Sequence, residues 1–183
     1  MKGFNRQNQL FSLCGLNCGL CPMFLNKNCP GCGGGEGNQS CKIARCSMER
    51  DGAQYCFQCS EYPCEKYDYI DDFDSFITHR NRKSDMEKAK RLGIDAYNAE
   101  QAEKANILEV LLSNYNDSRK KTLLCVAVNL LELQDLQTVL KEVDCKPDME
   151  TLTFKEKSAF VAGLLQDAAV MKNIDLNLRK KKG

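Results

Sequence analysis

Ten of the twelve cysteines fall in one stretch, at Cys14, Cys18, Cys21, Cys29, Cys32, Cys41, Cys46, Cys56, Cys59 and Cys64. Three pairs, 18/21, 29/32 and 56/59, leave two residues between the thiols. A turn of that length brings both sulfurs to one side, where they can share a soft metal ion. The other use of so many cysteines is a disulfide framework, which belongs to oxidising compartments. Met1 to Phe24 has neither a long apolar core nor a small-residue cleavage site, and no apolar run of about 18 residues occurs. The expectation is a cytoplasmic protein, not held in a membrane, whose thiols stay reduced and bind metal.

The strongest local signal is Cys29-Pro30-Gly31-Cys32-Gly33. Proline fixes the first turn dihedral, Gly33 accepts a positive φ behind the second ligand, and the turn aims backbone N–H groups at the sulfurs. Cys56-Phe57-Gln58-Cys59 is similar, with Cys64 five residues on. Ser40 to Met48 reads as helical, and residues five apart on a helix point about 140° from each other, so Cys41 and Cys46 are not expected on one ion. The preferred assignment gives one four-thiolate site to Cys46, Cys56, Cys59 and Cys64. It gives a second to Cys18, Cys21, Cys29 and Cys32, with Cys14 and Cys41 left over as candidate reactive thiols. A cross-braced pairing of 18/21 with 41/46 and 29/32 with 56/59 is equally open to the spacing.

About two zinc ions in four-cysteine knuckles is the expected cofactor content, with a [4Fe–4S] cluster as the alternative, since ten thiolates could hold two cubanes. Cys14, Cys18 and Cys21 also have the C-x3-C-x2-C spacing of radical S-adenosylmethionine enzymes. Those enzymes resemble partial β/α barrels, and no strand–helix alternation follows here. Zinc sites of this closed kind are structural. The chain offers no acid–base pair, no histidine-based nucleophile and no three-ligand zinc motif, which points away from a hydrolase.

Four cysteine blocks together resemble the domain-of-unknown-function 3795 family. They are Cys14-Gly15-Leu16-Asn17-Cys18-Gly19-Leu20-Cys21-Pro22, Cys29-Pro30-Gly31-Cys32, Cys41-Lys42-Ile43-Ala44-Arg45-Cys46 and Cys56-Phe57-Gln58-Cys59-Ser60-Glu61-Tyr62-Pro63-Cys64-Glu65-Lys66. The resemblance covers roughly Phe11 to Tyr69. It implies a cysteine-rich, zinc-binding protein and implies no reaction.

The elements that must position these thiols divide by composition. Residues 1–70 are rich in turn formers and poor in large apolar side chains, so this segment needs a staple such as metal. Residues 71–183 read as helices. Lys83 to Leu92 ends at Gly93. Asn98 with Gln101 reads as a capping box opening a helix with Ile107, Leu108, Leu111, Leu112 and Tyr115 on one stripe. Asp117 caps a helix whose apolar residues cover most of its circumference, Leu123 to Leu131, which makes it the central one. Asp135 caps a helix through Val143, and Thr153 with Glu156 makes a second capping box. Short strand pieces are expected only near Gln54 to Phe57 and Ile174 to Leu178. The fold class is mainly α, a small N-terminal cysteine-rich metal-knuckle segment packed on a C-terminal helical bundle.

Net charge is +1, with seven basic and six acidic residues up to Ile70 and nineteen of each beyond it. That balance excludes a general nucleic-acid or membrane-surface binder. The basic runs His79 to Lys83, Arg119 to Lys121 and Arg179 to Lys182 read as solvated helix faces and a frayed end. Gly33 to Gly37 reads as a loop rather than a phosphate cradle, His79 as an exposed helix-end residue, Cys125 as buried and Cys145 as half-exposed. Tyr55, Phe57, Tyr62, Tyr67 and Tyr69 are expected to pack around metal knuckles rather than stack on bases. The expected function is macromolecular interaction, with a protein partner ahead of nucleic acid and electron transfer or redox sensing as the alternative.

Overall fold

Thr153 and Glu156 open the last helix by the exchange their spacing predicts. Thr153 N–H donates to Glu156 Oε2 at 2.9 Å, and Glu156 N–H donates to Thr153 Oγ1 at 3.3 Å. Each satisfies a donor that the first helical turn leaves without a partner. Thr153→Ala should therefore destabilise the protein by about 1 kcal/mol in urea unfolding, and a loss below a few tenths would show that the cap contributes nothing.

The computed structural model describes residues 2–35, 41–50 and 52–181. It is mainly helical: α1 (Pro22–Leu25), α2 (Lys42–Glu49), α3 (Arg82–Leu92), α4 (Ile94–Tyr115), α5 (Lys121–Leu130), α6 (Leu133–Asp144) and α7 (Phe154–Met171). Short 3-10 turns lie at Cys18–Leu20, Cys56–Gln58, Glu65–Tyr67 and Met149–Thr151. No strand occurs among the described residues, so both expected strand pieces are corrected. Near Gln54 the Gln58 side chain accepts from the Gln54 and Tyr55 N–H groups, at 2.9 and 3.0 Å, and coils the chain into a turn. Near Ile174 the Asp175 carboxylate accepts from Asn177 N–H at 2.9 Å, which likewise turns the backbone locally.

Three helix starts also differ from expectation. Gly93, at φ +86, ends α3 and lets the chain restart at Ile94, so Asn98 and Gln101 lie inside α4 rather than capping it. Asp117 instead closes a turn on Arg119 N–H at 3.1 Å, and α5 starts at Lys121. Asp135 sits at the third position of α6, accepting from Glu132 N–H at 3.3 Å.

The described chain forms two units, Met1–Gln101 with Leu178–Gly183 and Ala102–Asn177. In the second, α5 is buried from Leu124 through Asn129 without a break, as the spread of its apolar residues predicts. Helix α7 packs against α5 and α6 through a face that includes Val161, Ala162, Leu165 and Ala169. Cys125 is buried and Cys145 is exposed.

The first unit has two cores. Phe11, Tyr55, Met86, Ala89 and Tyr97 form one, with Phe11 and Tyr97 ring centroids 4.6 Å apart and Phe11 and Tyr55 5.6 Å apart. Phe4, Leu13, Ile43, Ala44 and Tyr67 form the other, and Cys14, Cys32, Cys56 and Cys64 pack against it. Most of the expected aromatic surplus is thus used in packing: Tyr55 stacks on Phe57, and Tyr62 meets Tyr67 edge-on. Tyr69 is the exception, at 82 % exposed.

Candidate metal centre

A hydrogen-bonded frame holds the first cysteines. Ser12 N–H donates to Leu16 O at 2.8 Å, Leu16 N–H donates to Ser12 Oγ at 2.6 Å, and Ser12 Oγ lies 3.4 Å from Cys14 Sγ. Cys18 begins a 3-10 turn, and Cys21 precedes Pro22, whose fixed φ suits the first position of α1. In the Cys29–Gly33 segment both Gly31 and Gly33 have positive φ, +82 and +81. A side chain at Gly33 would strike Arg6. Glu36, Gly37 and Ser40 lie outside the described residues.

Leu13 ties separate blocks together. Its N–H donates to Cys32 Sγ at 3.4 Å, and its carbonyl accepts from Cys56 N–H at 2.9 Å. Tyr67 OH donates to Cys14 O at 3.3 Å. Backbone N–H groups are aimed at other sulfurs: Cys18 accepts from Cys32 N–H, and Cys21 from the N–H groups of Met23 and Phe24.

Cys46, Cys56, Cys59 and Cys64 line a single cavity of about 630 Å³. Cys46 enters from α2, Cys56 and Cys59 from the 3-10 turn, and Cys64 from the loop beyond, over a floor that includes Leu13, Ile43 and Tyr67. Its polar lining includes Ser47, Glu49, Arg50, Gln58 and Lys66, with Arg50 paired to Glu61. Cys41 stands at the N-cap of α2 and is exposed, outside this group. Cys18 instead senses the charge of Cys32, Cys14 and Cys21, and Cys56 that of Cys14, Cys64 and Cys46. Cys14 therefore neighbours both thiol groups.

No disulfide joins the cysteines, and among the described residues no three Cys, His, Asp or Glu side chains converge as tightly as a bound metal ion would hold them. The donor set nevertheless has the chemistry of a soft-metal site: reduced sulfurs, several per pocket, with N–H groups directed at them. Burial pushes the Cys18 and Cys32 thiols up, and it pushes Cys56 up to about 12. Such thiols ionise only if a cation compensates them, which a metal does outright.

One compensating cation is already in place, and no residue pattern announces it. Arg6 is 5 % exposed. Its guanidinium donates to the carbonyls of Asn8 (2.8 Å), Phe11 (2.9 Å) and Cys32 (3.3 Å), and twice to Gln54 O (2.9 and 2.6 Å). It also lies 5.0 Å from the Tyr55 ring centroid and opposes the upward shift of Cys32. Asn17 was equally hidden, although it sits inside the first cysteine block. It accepts from Tyr97 OH at 3.0 Å and donates to Asp85 at 2.8 Å, fastening that block to α3 and α4. His79, expected to be exposed, is half-buried between Ser75 Oγ (3.0 Å) and Ile70 O (3.2 Å), because Asp74 and the Ile70 carbonyl hold it against the loop.

The fold and the thiol-lined cavity define a class: mainly helical proteins with a cysteine-rich N-terminal module. Residues 10–69 match the family described as "Protein of unknown function (DUF3795)". No curated protein and no solved structure matches the chain. No helix among the described residues is long and apolar enough to cross a membrane.

Proposed function

We propose that this is a cytoplasmic zinc-binding protein whose thiolate sites are structural and whose role is to bind another macromolecule, a protein ahead of a nucleic acid. The observation that carries the metal reading is the cavity shared by Cys46, Cys56, Cys59 and Cys64. These residues come from three separate stretches of chain, and a metal held between them would fix all three at once. Zinc binding in a small module contributes on the order of 10 kcal/mol, enough to decide whether the module folds. Charge balance favours a protein partner, because nucleic acid demands phosphate-neutralising excess.

Purification without oxygen, followed by zinc and iron analysis and a visible spectrum, tests this. The expected protein is colourless with about two zinc ions per chain, because d¹⁰ zinc held by thiolates has no d–d transitions. Cys59→Ser should lower the zinc content by one ion while leaving the other site filled. A brown protein containing iron and sulfide would replace zinc with the cluster alternative.

A further inference from the structure

The basic segment read from sequence as a frayed end is seated on the loop after the cysteine block. Asp74 N–H donates to Arg179 O, and Arg179 N–H donates to Asp74 Oδ2, both at 2.8 Å. Arg179 Nη2 donates to Asp74 Oδ1 at 3.0 Å, and Lys181 Nζ stands 5.6 Å from the Phe73 ring centroid. The Asp74 side chain has no exposed surface. His79 N–H also donates to it at 2.8 Å, and Arg80 lies 4.0 Å away. Around it the loop exposes Tyr69, Phe73 and Phe76, interleaved with the exposed acids Asp68 and Asp72. Main-chain pairing, a buried carboxylate for a guanidinium, and an aromatic face for an ammonium are the parts by which a protein grips an extended basic peptide.

We propose that the loop Tyr69–Phe76 is a docking site for an extended arginine- and lysine-bearing peptide of another protein, occupied in cis by Leu178–Lys181. Anchoring this segment uses Asp74 and Phe73 and leaves Tyr69 and Phe76 of the same loop 82 and 66 % exposed, open to a longer peptide. The acids and aromatics complement a cationic partner and repel anionic surfaces. The inference takes up the partner-binding half of the proposed function and does not depend on the metal, so a protein containing iron would leave it standing.

The probe is a fluorescein-labelled peptide with the sequence of residues 176–181, titrated into the full chain. A covalently attached competitor acts at roughly millimolar effective concentration, so Arg179→Ala should bind the peptide at least about tenfold more tightly than the unaltered protein. Binding should weaken as salt rises and vanish in the Asp74→Asn, Arg179→Ala double variant. Equal affinity of the unaltered and Arg179→Ala proteins, or no binding to the variant, would overturn the proposal. If Arg179→Ala does not fold, amide exchange on the unaltered protein decides. Millimolar peptide should speed exchange at Arg179 at least about tenfold while Asp74 N–H stays protected, and unchanged exchange at Arg179 would end the idea. Sedimentation showing a dimer that Asp74→Asn abolishes would assign the loop to a second copy of this chain instead.

Discussion

Arg6→Ala should cost the unit Met1–Gln101 on the order of 4 kcal/mol, a large share of what holds a domain of this size together. The guanidinium serves four carbonyls, those of Asn8, Phe11, Cys32 and Gln54, which belong to three distant parts of the chain. Alanine would remove this donor from one buried and three part-buried carbonyls, and each such loss at a buried site costs about 1–3 kcal/mol. Lysine is no remedy, because a single ammonium cannot reproduce the planar fork that meets carbonyls on several sides. Arg6→Lys should therefore recover less than half of the loss. The readout is urea unfolding followed by the near-ultraviolet circular dichroism of the Tyr55 and Tyr97 cluster. A loss under about 1 kcal/mol would mean that water reaches those carbonyls and that Arg6 is not the pin of the cysteine module.

The contrast between Arg6 and the cysteines shows what a sequence makes legible. Thiols at short spacing declare themselves because metal chemistry limits which residues serve and how far apart they stand. Helix periods do so for a similar reason: α5 must be buried all round when apolar residues cover its circumference, and Thr153 with Glu156 has one use. Arg6 obeys no such rule, since its partners are backbone carbonyls, which every residue owns. Asp74 is the same kind of case, an acid among acids until Arg179 folds back onto it. The capping box expected at Asn98 was a real pattern overridden by Gly93, four residues before Tyr97, where the chain had already restarted as helix. Long-range packing was the least visible. Composition changes near Ile70, whereas the compact unit continues to Gln101 because Met86, Ala89 and Tyr97 complete a core with Phe11 and Tyr55. No periodicity within 82–101 reveals which distant residues fill that face.

That packing sets up the second large effect, at Gly15, in the Cys14-Gly15-Leu16-Asn17-Cys18 block. Gly15 has φ +96, and a Cβ there would lie 2.5 Å from Met86 Cγ and 2.6 Å from Arg82 O. The carbonyl cannot yield without bending α3, and Met86 is wholly buried. Gly93 provides the control. Its φ is +86, but a Cβ there meets nothing within 4 Å. Gly93→Ala should thus cost backbone strain alone, about 1–2 kcal/mol. Gly15→Ala carries positive-φ strain of its own plus the overlap with α3, and overpacking adds about 1–3 kcal/mol. It should also loosen the neighbouring Asn17, whose bonds to Asp85 and Tyr97 hold the first cysteines against α3 and α4. The expected result is that Gly15→Ala is the more destabilising of the two by urea unfolding and that, if the proposed zinc is bound, it alone lowers the zinc content. Equal destabilisation by both substitutions would show that α3 yields to the added methyl group, and that the cysteine block is held by its own turns rather than by the helix beneath it.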